Sequence, residues 1–333
     1  MKYILVTWSA GFIGFHVSRA LLDRNETVVG VDNFNSYYYP GLKRARQEIL
    51  AQSKNFVSVE QDLADLKAVE SLFEEFCPQV VCHLAAQPGV RYSLRNPVAY
   101  HQSNLAGFVN IIDQARRADV EKFVYASSSS VYGGNTKIPF SEEDRVDRPA
   151  SLYGATKRAN ELIAYTYTQL WGIATIGLRL FTVYGPWGRP DMAYWSFLDR
   201  IITGETIQVY NFGKHKRDFT YIDDIVQGIL AALSSPINNK FELINLGNNR
   251  PVELMHFIER IEDLAGKKAV KDMVQVQPGD VLDTYADITK AREILGFEPS
   301  VPFETGMEKF VRWFTDHPQI VGEVRRFKKL QYL

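Results

Sequence analysis

Thr7-Trp8-Ser9-Ala10-Gly11-Phe12-Ile13-Gly14 is the stretch on which the fold turns: it follows the short apolar run Tyr3–Thr7 and leads into a segment of helical period. At a strand-to-helix turn of this kind the first helical N–H groups have no partner within the helix and can meet a pyrophosphate, while small residues allow close approach. The next β-branched run ends at Asp32. A carboxylate there accepts hydrogen bonds from an adenosine ribose and repels a 2′-phosphate, so NAD is expected over NADP. A Gly-x-x-Gly fragment alone also marks ordinary helix entries; the order strand, turn, helix, strand, acid is what sets this one apart.

Working outward, short apolar runs alternate with longer stretches of helical period, the pattern of repeated βαβ units on a parallel sheet. Strands are predicted at Tyr3–Thr7, Val28–Val31, Val57–Glu60, Val80–Leu84, Phe123–Ser127 and Thr175–Leu180. Asn96 and Pro97 read as a helix cap and first turn, with Leu105, Phe108, Val109 and Ile112 giving that helix an apolar face. Asp62-Leu63 and Leu84-Ala85-Ala86-Gln87 fall at the ends of the third and fourth strands, where the ligand crevice of such a sheet lies. The expectation is an α/β chain with a Rossmann-type, doubly wound parallel sheet over residues 1–181. After Phe181 the pattern changes to Gly/Pro/Trp-rich loops and mixed short elements, including Phe241–Asn245 and a helix opening after Pro251. Residues 182–333 are expected to form mainly a smaller α/β substrate-binding region, with part of 219–250 packing back on the sheet.

Thirty-eight basic and thirty-nine acidic residues leave a formal charge of −1, which gives no sequence-independent grip on nucleic acid. No apolar stretch is long enough to span a bilayer and no charged leader precedes Tyr3, so a cytoplasmic protein without a membrane partner is expected. Cys77 and Cys82 are too few for a disulfide framework and suit a reducing compartment. No metal ligand set is expected.

Tyr153-Gly154-Ala155-Thr156-Lys157 places a phenol and an ammonium on one face of a helix. Such pairs are common without any chemistry. Here, however, Ser127-Ser128-Ser129-Ser130 begins where the fifth strand ends, so its hydroxyls face the crevice expected for the nicotinamide. Oxidising a secondary alcohol needs a base, and a free tyrosine with a pKa of about 10 is mostly protonated at neutral pH. Lys157 and a positive nicotinamide ring favour the phenolate, and Ser128 can hold the substrate oxygen as it alternates between alcohol and carbonyl.

With these elements in order, the chain resembles the extended short-chain dehydrogenase/reductases over nearly all its length, and more narrowly their nucleotide-sugar 4-epimerases. Val31-Asp32-Asn33-Phe34-Asn35, Gly89-Val90-Arg91-Tyr92-Ser93 and Phe181-Thr182-Val183-Tyr184-Gly185-Pro186-Trp187-Gly188-Arg189-Pro190-Asp191-Met192 look like the bacterial UDP-glucuronate 4-epimerases. The resemblance implies Ser128, Tyr153 and Lys157 as the catalytic set. It places NAD against Gly11, Phe12, Ile13, Gly14, Asp32, Asn33, Asn35, Asp62, Leu63, Leu84, Ala85, Ala86, Gln87, Asn104, Tyr153 and Lys157. Thr182, Arg189, Gln208, Tyr210, Arg217 and Asp280 match positions that line the UDP-sugar pocket. A guanidinium at Arg217 can bind two diphosphate oxygens, although Arg217 also reads as a solvated charge in the Lys214–Arg217 run. Arg189 is alternatively a loop anchor, and Gln208 and Tyr210 ordinary strand residues. A uronic acid passing through a 4-keto state is a β-keto acid, so its carboxylate must be held out of the decarboxylating orientation. Ser129, Ser130, Thr182, Arg91 and Arg189 are the candidates for that grip.

Related dehydratases carry an Asp-Glu pair just after the catalytic hydroxyl and related decarboxylases a Glu just before Val-Tyr-Gly; here Ser129 and Ser130 stand there. The alternatives are a UDP-glucose/UDP-galactose 4-epimerase and, from a different class, a non-catalytic protein that binds NAD or a UDP-sugar. The second is prompted by Trp8, which replaces the family's first fingerprint glycine and is expected to crowd the cofactor, or else to stack on it. A homodimer through the helices after Asn96 and over Ser151–Trp171 is also expected from the resemblance.

Overall fold

The computed structural model describes residues 2–236, 239–275 and 283–331. Seven parallel strands form the central sheet: β1 (Tyr3–Thr7), β2 (Thr27–Asp32), β3 (Phe56–Glu60), β4 (Val80–His83), β5 (Lys122–Ser128), β6 (Thr175–Leu180) and β7 (Phe241–Leu246). Their order is β7-β6-β5-β4-β1-β2-β3, so the chain runs outward from β1 in one direction and then returns to build the other half from β4. That reversal opens a crevice at the C-terminal ends of β1 and β4, which lie in register from Ile4↔Val80 to Thr7↔His83.

Strand periodicity divides the core. Ile4 and Val6 face one side while Leu5 faces the other, each no more than 7% exposed. The Leu5 side is filled by Phe73, Phe108 and Ile112 from covering helices. The Ile4 side runs without a break into Trp195, Phe219, Phe257 and Phe310, so the two halves of the chain share one core. Each such side chain contributes roughly 1.5–3 kcal/mol on burial. Helix ends follow local chemistry. Asp65 accepts from the N–H groups of Lys67 and Ala68 to start Leu66–Phe76; Ser151 caps Leu152–Trp171, which Gly172 ends at φ 73°.

β7 comes from the second half of the sequence and pairs with β6 from Phe241↔Thr175 to Leu246↔Leu180. The helix Ile222–Ser234 packs against β5 and β6. The smaller region is built around Lys216–Tyr221, which pairs with Thr182–Tyr184, Pro251–Glu253 and Asp283–Thr284. The structure departs from the expected elements at two places. Pro251 opens a three-residue strand and the helix begins only at Leu254. The helix expected after Asn96 is Pro97–Tyr100, a π-helical stretch His101–Ala106 and then Gly107–Arg117. The π stretch carries Asn104, buried at 1%, whose amide is spent on Gln87 and Thr156. No helix among the described residues is long and apolar enough to cross a membrane.

Candidate active site

The turn after β1 is closed by Gly11 N–H donating to the Trp8 carbonyl at 2.9 Å and anchored by Ser9 N–H on Val31 O at 3.2 Å. Gly11 caps the helix Phe12–Asp23 without a side-chain bond, so the N–H groups of Phe12 and Ile13 start the helix unsatisfied by any cap. A side chain on Gly14 would put its Cβ 2.0 Å from Trp8 O, which only glycine avoids. Thr7 Oγ1 accepts from Leu84 N–H and Ala85 N–H, both at 3.0 Å, and so has its own proton to give to His83 Nδ1 at 3.1 Å. This ties the ends of β1 and β4 together under the crevice.

Asp32 is 3% exposed; its Oδ1 accepts from Phe34 N–H at 2.8 Å and from Lys43 Nζ at 3.4 Å, while its buried Oδ2 has no protein partner. A buried carboxylate oxygen left open at the end of β2 fits the hydroxyls of an adenosine ribose. Asn33 donates to Asp62 at 3.2 Å, joining the ends of β2 and β3 beside it. Asn35 Oδ1 accepts from Lys43 at 3.2 Å. Leu63 is buried, Ala85 and Ala86 are half-buried, and Gln87 exchanges two hydrogen bonds with Asn104. The residues present therefore fit NAD.

Across the crevice, Ser128 ends β5 at 8% exposure, accepts from Ser130 N–H at 3.1 Å and stands close enough to the Tyr153 phenol to lower its pKa. Burial raises the Tyr153 pKa; the Ser128 hydroxyl and the Arg189 charge pull it back. Lys157 donates to Ala126 O at 2.8 Å, and burial brings its pKa down to about 7 against the raising effect of Glu161. Ser128 and the Arg189 charge thus both favour the Tyr153 phenolate. The Tyr100 ring stands edge-on to Tyr153 at 6.2 Å.

On the opposite wall Arg189, Arg91, Gln208, Tyr210 and Arg217 are already engaged. Arg189 forms a fork on Asp191, Nε to Oδ1 at 3.1 Å and Nη2 to Oδ2 at 2.6 Å, and Tyr37 donates to the same Oδ2 at 3.1 Å. Burial would raise the Asp191 carboxyl, but Arg189 holds it below its ordinary range. The Arg91 guanidinium lies over the Tyr210 ring at 4.6 Å, and Tyr210 donates to Gln208 at 2.6 Å. Ile207 and Val209 point inward, leaving Gln208 and Tyr210 on the outer side of their strand. Arg217 donates to Lys216 O at 3.1 Å; Thr182, Ser129 and Ser130 are each half-buried, and Asp280 lies outside the described residues.

The sequence reading missed Arg46. Its guanidinium, 0% exposed, donates to Ala10 O at 2.9 Å, Tyr38 Oη at 2.8 Å, Trp187 O at 2.6 Å and Gly188 O at 3.1 Å, joining the turn after β1 to the loop that carries Arg189. Tyr37, Tyr100 and Asp191 were missed as well; the run Ser36-Tyr37-Tyr38-Tyr39 right after the Asp32 segment was the available signal.

Against known proteins, residues 4–247 match the NAD dependent epimerase/dehydratase family. UDP-glucuronate 4-epimerase 3 of Arabidopsis thaliana is 48% identical over 327 residues, 93% of this chain and 76% of that protein. The crystal structure of UDP-glucuronic acid 4-epimerase from Bacillus cereus, in complex with UDP-glucuronic acid and NAD, superposes with a TM-score of 0.90 at 33% identity over 95% of this chain and 99% of that one. The UDP-glucose 4-epimerase of Thermotoga maritima, with UDP-glucose, gives 0.85 at 30% identity over 96% and 100%. On its sheet, its crevice and this match, the chain belongs to the NAD dependent epimerase/dehydratase family.

Proposed function

We propose that this enzyme is an NAD-dependent 4-epimerase whose substrate is UDP-glucuronate, converted to UDP-galacturonate through a transient 4-keto sugar. The observation that carries this reading is the Ser128–Tyr153 contact at the end of β5, with serines at 129 and 130 where dehydratases and decarboxylases have carboxylates. Bound NAD supplies reversible hydride acceptance. Tyr153 takes the proton from the 4-hydroxyl and returns it after the keto sugar has turned over, with Ser128 holding the sugar oxygen throughout. Lys157, fixed by Ala126 O, sits beneath the crevice with a pKa brought down by burial to about 7, so that it can lose or regain a proton near neutral pH. Asp32 Oδ2 takes the adenosine ribose, and the uncapped start of Phe12–Asp23 takes the pyrophosphate.

For the uronate carboxylate, Ser129, Ser130 and Thr182 are the stronger candidates, since two Arg189 nitrogens are held by Asp191 and Arg91 lies on Tyr210. Gln208, Tyr210 and Arg217 then meet the nucleotide. In this reading residues 1–181 hold NAD and 182–333 mainly the UDP-sugar, although the shared core makes this a division of roles within one body. The alternative, a UDP-glucose/UDP-galactose 4-epimerase, rests on the likeness to the Thermotoga enzyme. Incubation with UDP-glucuronate and UDP-glucose separately, followed by proton NMR at C4, decides: faster inversion of UDP-glucose would overturn the uronate assignment.

We also infer a homodimer. Leu162, Tyr165, Leu170 and Trp171 are each about half exposed or more along one helix, and Val98 is 60% exposed on a neighbouring one. Light scattering should give twice the monomer mass at micromolar concentration, and a monomer there refutes it. The free thiols Cys77 and Cys82 suit a reducing compartment, so fractionation should place the protein in the cytoplasm.

A further inference from the structure

Trp8 takes φ 60°, the left-handed region that glycine enters freely and a bulky residue does not. The turn keeps its hydrogen bonds in spite of this, so the backbone has accepted the conformation and the side chain goes where that conformation sends it. It goes onto Gly11. A Cβ built on Gly11 would meet the indole at Cδ2 and Cγ, 2.9 and 3.0 Å away. The bare Cα at this second glycine is what lets a dinucleotide pyrophosphate come against the backbone. In this chain the space beside it is lined by indole, which is half-buried against the main core.

We propose that Trp8 is a cofactor-retention determinant: its indole covers the pyrophosphate side of the turn and must swing aside for NAD to bind, which makes NAD an exchangeable cofactor in this enzyme. The inference rests on the assignment of this turn to NAD, whose other contacts are untouched. Asp32 Oδ2 stays open and the helix start stays uncapped, so the cradle is shielded and not dismantled. Apparent affinity falls by the fraction of molecules whose indole is displaced: if that fraction is about one tenth, binding weakens about tenfold. A second consequence concerns rates, since NAD must wait for the open form and association becomes slower than diffusion allows.

Two variants separate ring from backbone. Trp8→Gly removes the indole and relieves the left-handed strain, whereas Trp8→Asn tolerates a left-handed backbone and removes only the ring. NAD is titrated by calorimetry into the protein stripped of nucleotide, and the NAD retained through gel filtration of untreated protein is measured by absorbance after denaturation. Both variants are expected to bind NAD about tenfold more tightly and to retain a larger fraction than the parent, with UDP affinity unchanged. Indole fluorescence supplies an independent reading: NAD binding should change the emission of the parent more than that of Trp8→Gly, which keeps the other four tryptophans. Equal or weaker NAD binding by both variants overturns the proposal and makes the indole a neutral or stacking surface. Failure of all three proteins to bind any NAD, with UDP still bound, instead overturns the assignment of the turn itself.

Discussion

The two walls of the crevice are built on opposite plans. On the cofactor wall the functional atoms come from the ends of parallel strands and from one helix start, and some are left open: Asp32 Oδ2 is buried without a partner, and the helix Phe12–Asp23 has no side-chain cap. On the sugar wall the polar groups come from loops and short outer strands and have already found each other, Arg189 with Asp191 and Tyr37, Arg91 with Tyr210, Tyr210 with Gln208. An unpaired buried acceptor is costly and awaits its ligand, whereas a satisfied pair must be exchanged before it can serve one. The cofactor wall is therefore a preformed mould, and the sugar wall a set of bonds that binding rearranges.

The largest effect that tests this contrast is at the point where the walls meet. Tyr153→Phe removes one oxygen and, apart from the phenol's contact with Ser128, leaves the contacts of both walls in place, so NAD and UDP-sugar binding should stay near normal while epimerisation falls by about 10³-fold or more. Turnover close to that of the parent enzyme would remove Tyr153 from proton transfer. A variant that lost binding in parallel would show that the phenol holds a wall together instead.

Arg46 tests whether the walls are mechanically coupled. Its guanidinium is the direct bond between Ala10 on one wall and Trp187–Gly188 on the other, and no carboxylate pairs with it among the described residues. Arg46→Met keeps most of the volume but leaves buried carbonyls without donors, at about 1–3 kcal/mol each where they stay dry. Chemical denaturation should show a loss of about 3 kcal/mol. More tellingly, the KM for the UDP-sugar should rise several-fold together with NAD loss, although Arg46 touches neither site residue Arg189 nor Asp32 directly. An unchanged KM with lowered stability alone would reduce Arg46 to a structural role.

The same contrast explains what was legible in the sequence. Strand ends are fixed by period-two patterning and by the turn residues that follow, so Asp32, Asp62, Gln87 and Ser128 fall where topology puts ligands, and the positions need no knowledge of distant partners. Pairings on the sugar wall join residues far apart in the chain, Tyr37 with Asp191 and Arg46 with Trp187, and depend on loops whose conformation no periodicity encodes. Arg189 was legible as a residue but not as half of an ion pair. The π-helical stretch His101–Ala106 was hidden for another reason. The π-helical turn puts Asn104 inward, and of the expected apolar face only Phe108 and Ile112 are buried, with Leu105 half-buried and Val109 37% exposed. Trp8 was visible as an oddity, but its contact with Gly11 required the backbone angle.

The smallest expected effect separates the two members of the Arg189–Asp191 pair by sign. The Tyr153 phenol, raised by burial, is lowered by Ser128 and by the Arg189 charge, but Asp191 sits on that charge and cancels part of its field. Arg189→Ala removes the cation and leaves a carboxylate bonded to Tyr37, so the Tyr153 pKa should rise. Asp191→Asn leaves the cation alone and should lower it. Because the base must be ionised to accept the hydroxyl proton, the ascending limb of kcat/KM moves with that pKa: toward higher pH in Arg189→Ala and toward lower pH in Asp191→Asn. Each shift should be about one unit or less, since the two groups are close together and the pair's field at Tyr153 is that of a dipole. The profiles need only the parent enzyme, the two variants and UDP-glucuronate at saturating NAD. Shifts in the same direction would mean that the pair acts by holding the loop in shape, and an Arg189→Ala profile superposable on the parent's would remove the guanidinium from the electrostatics of the base.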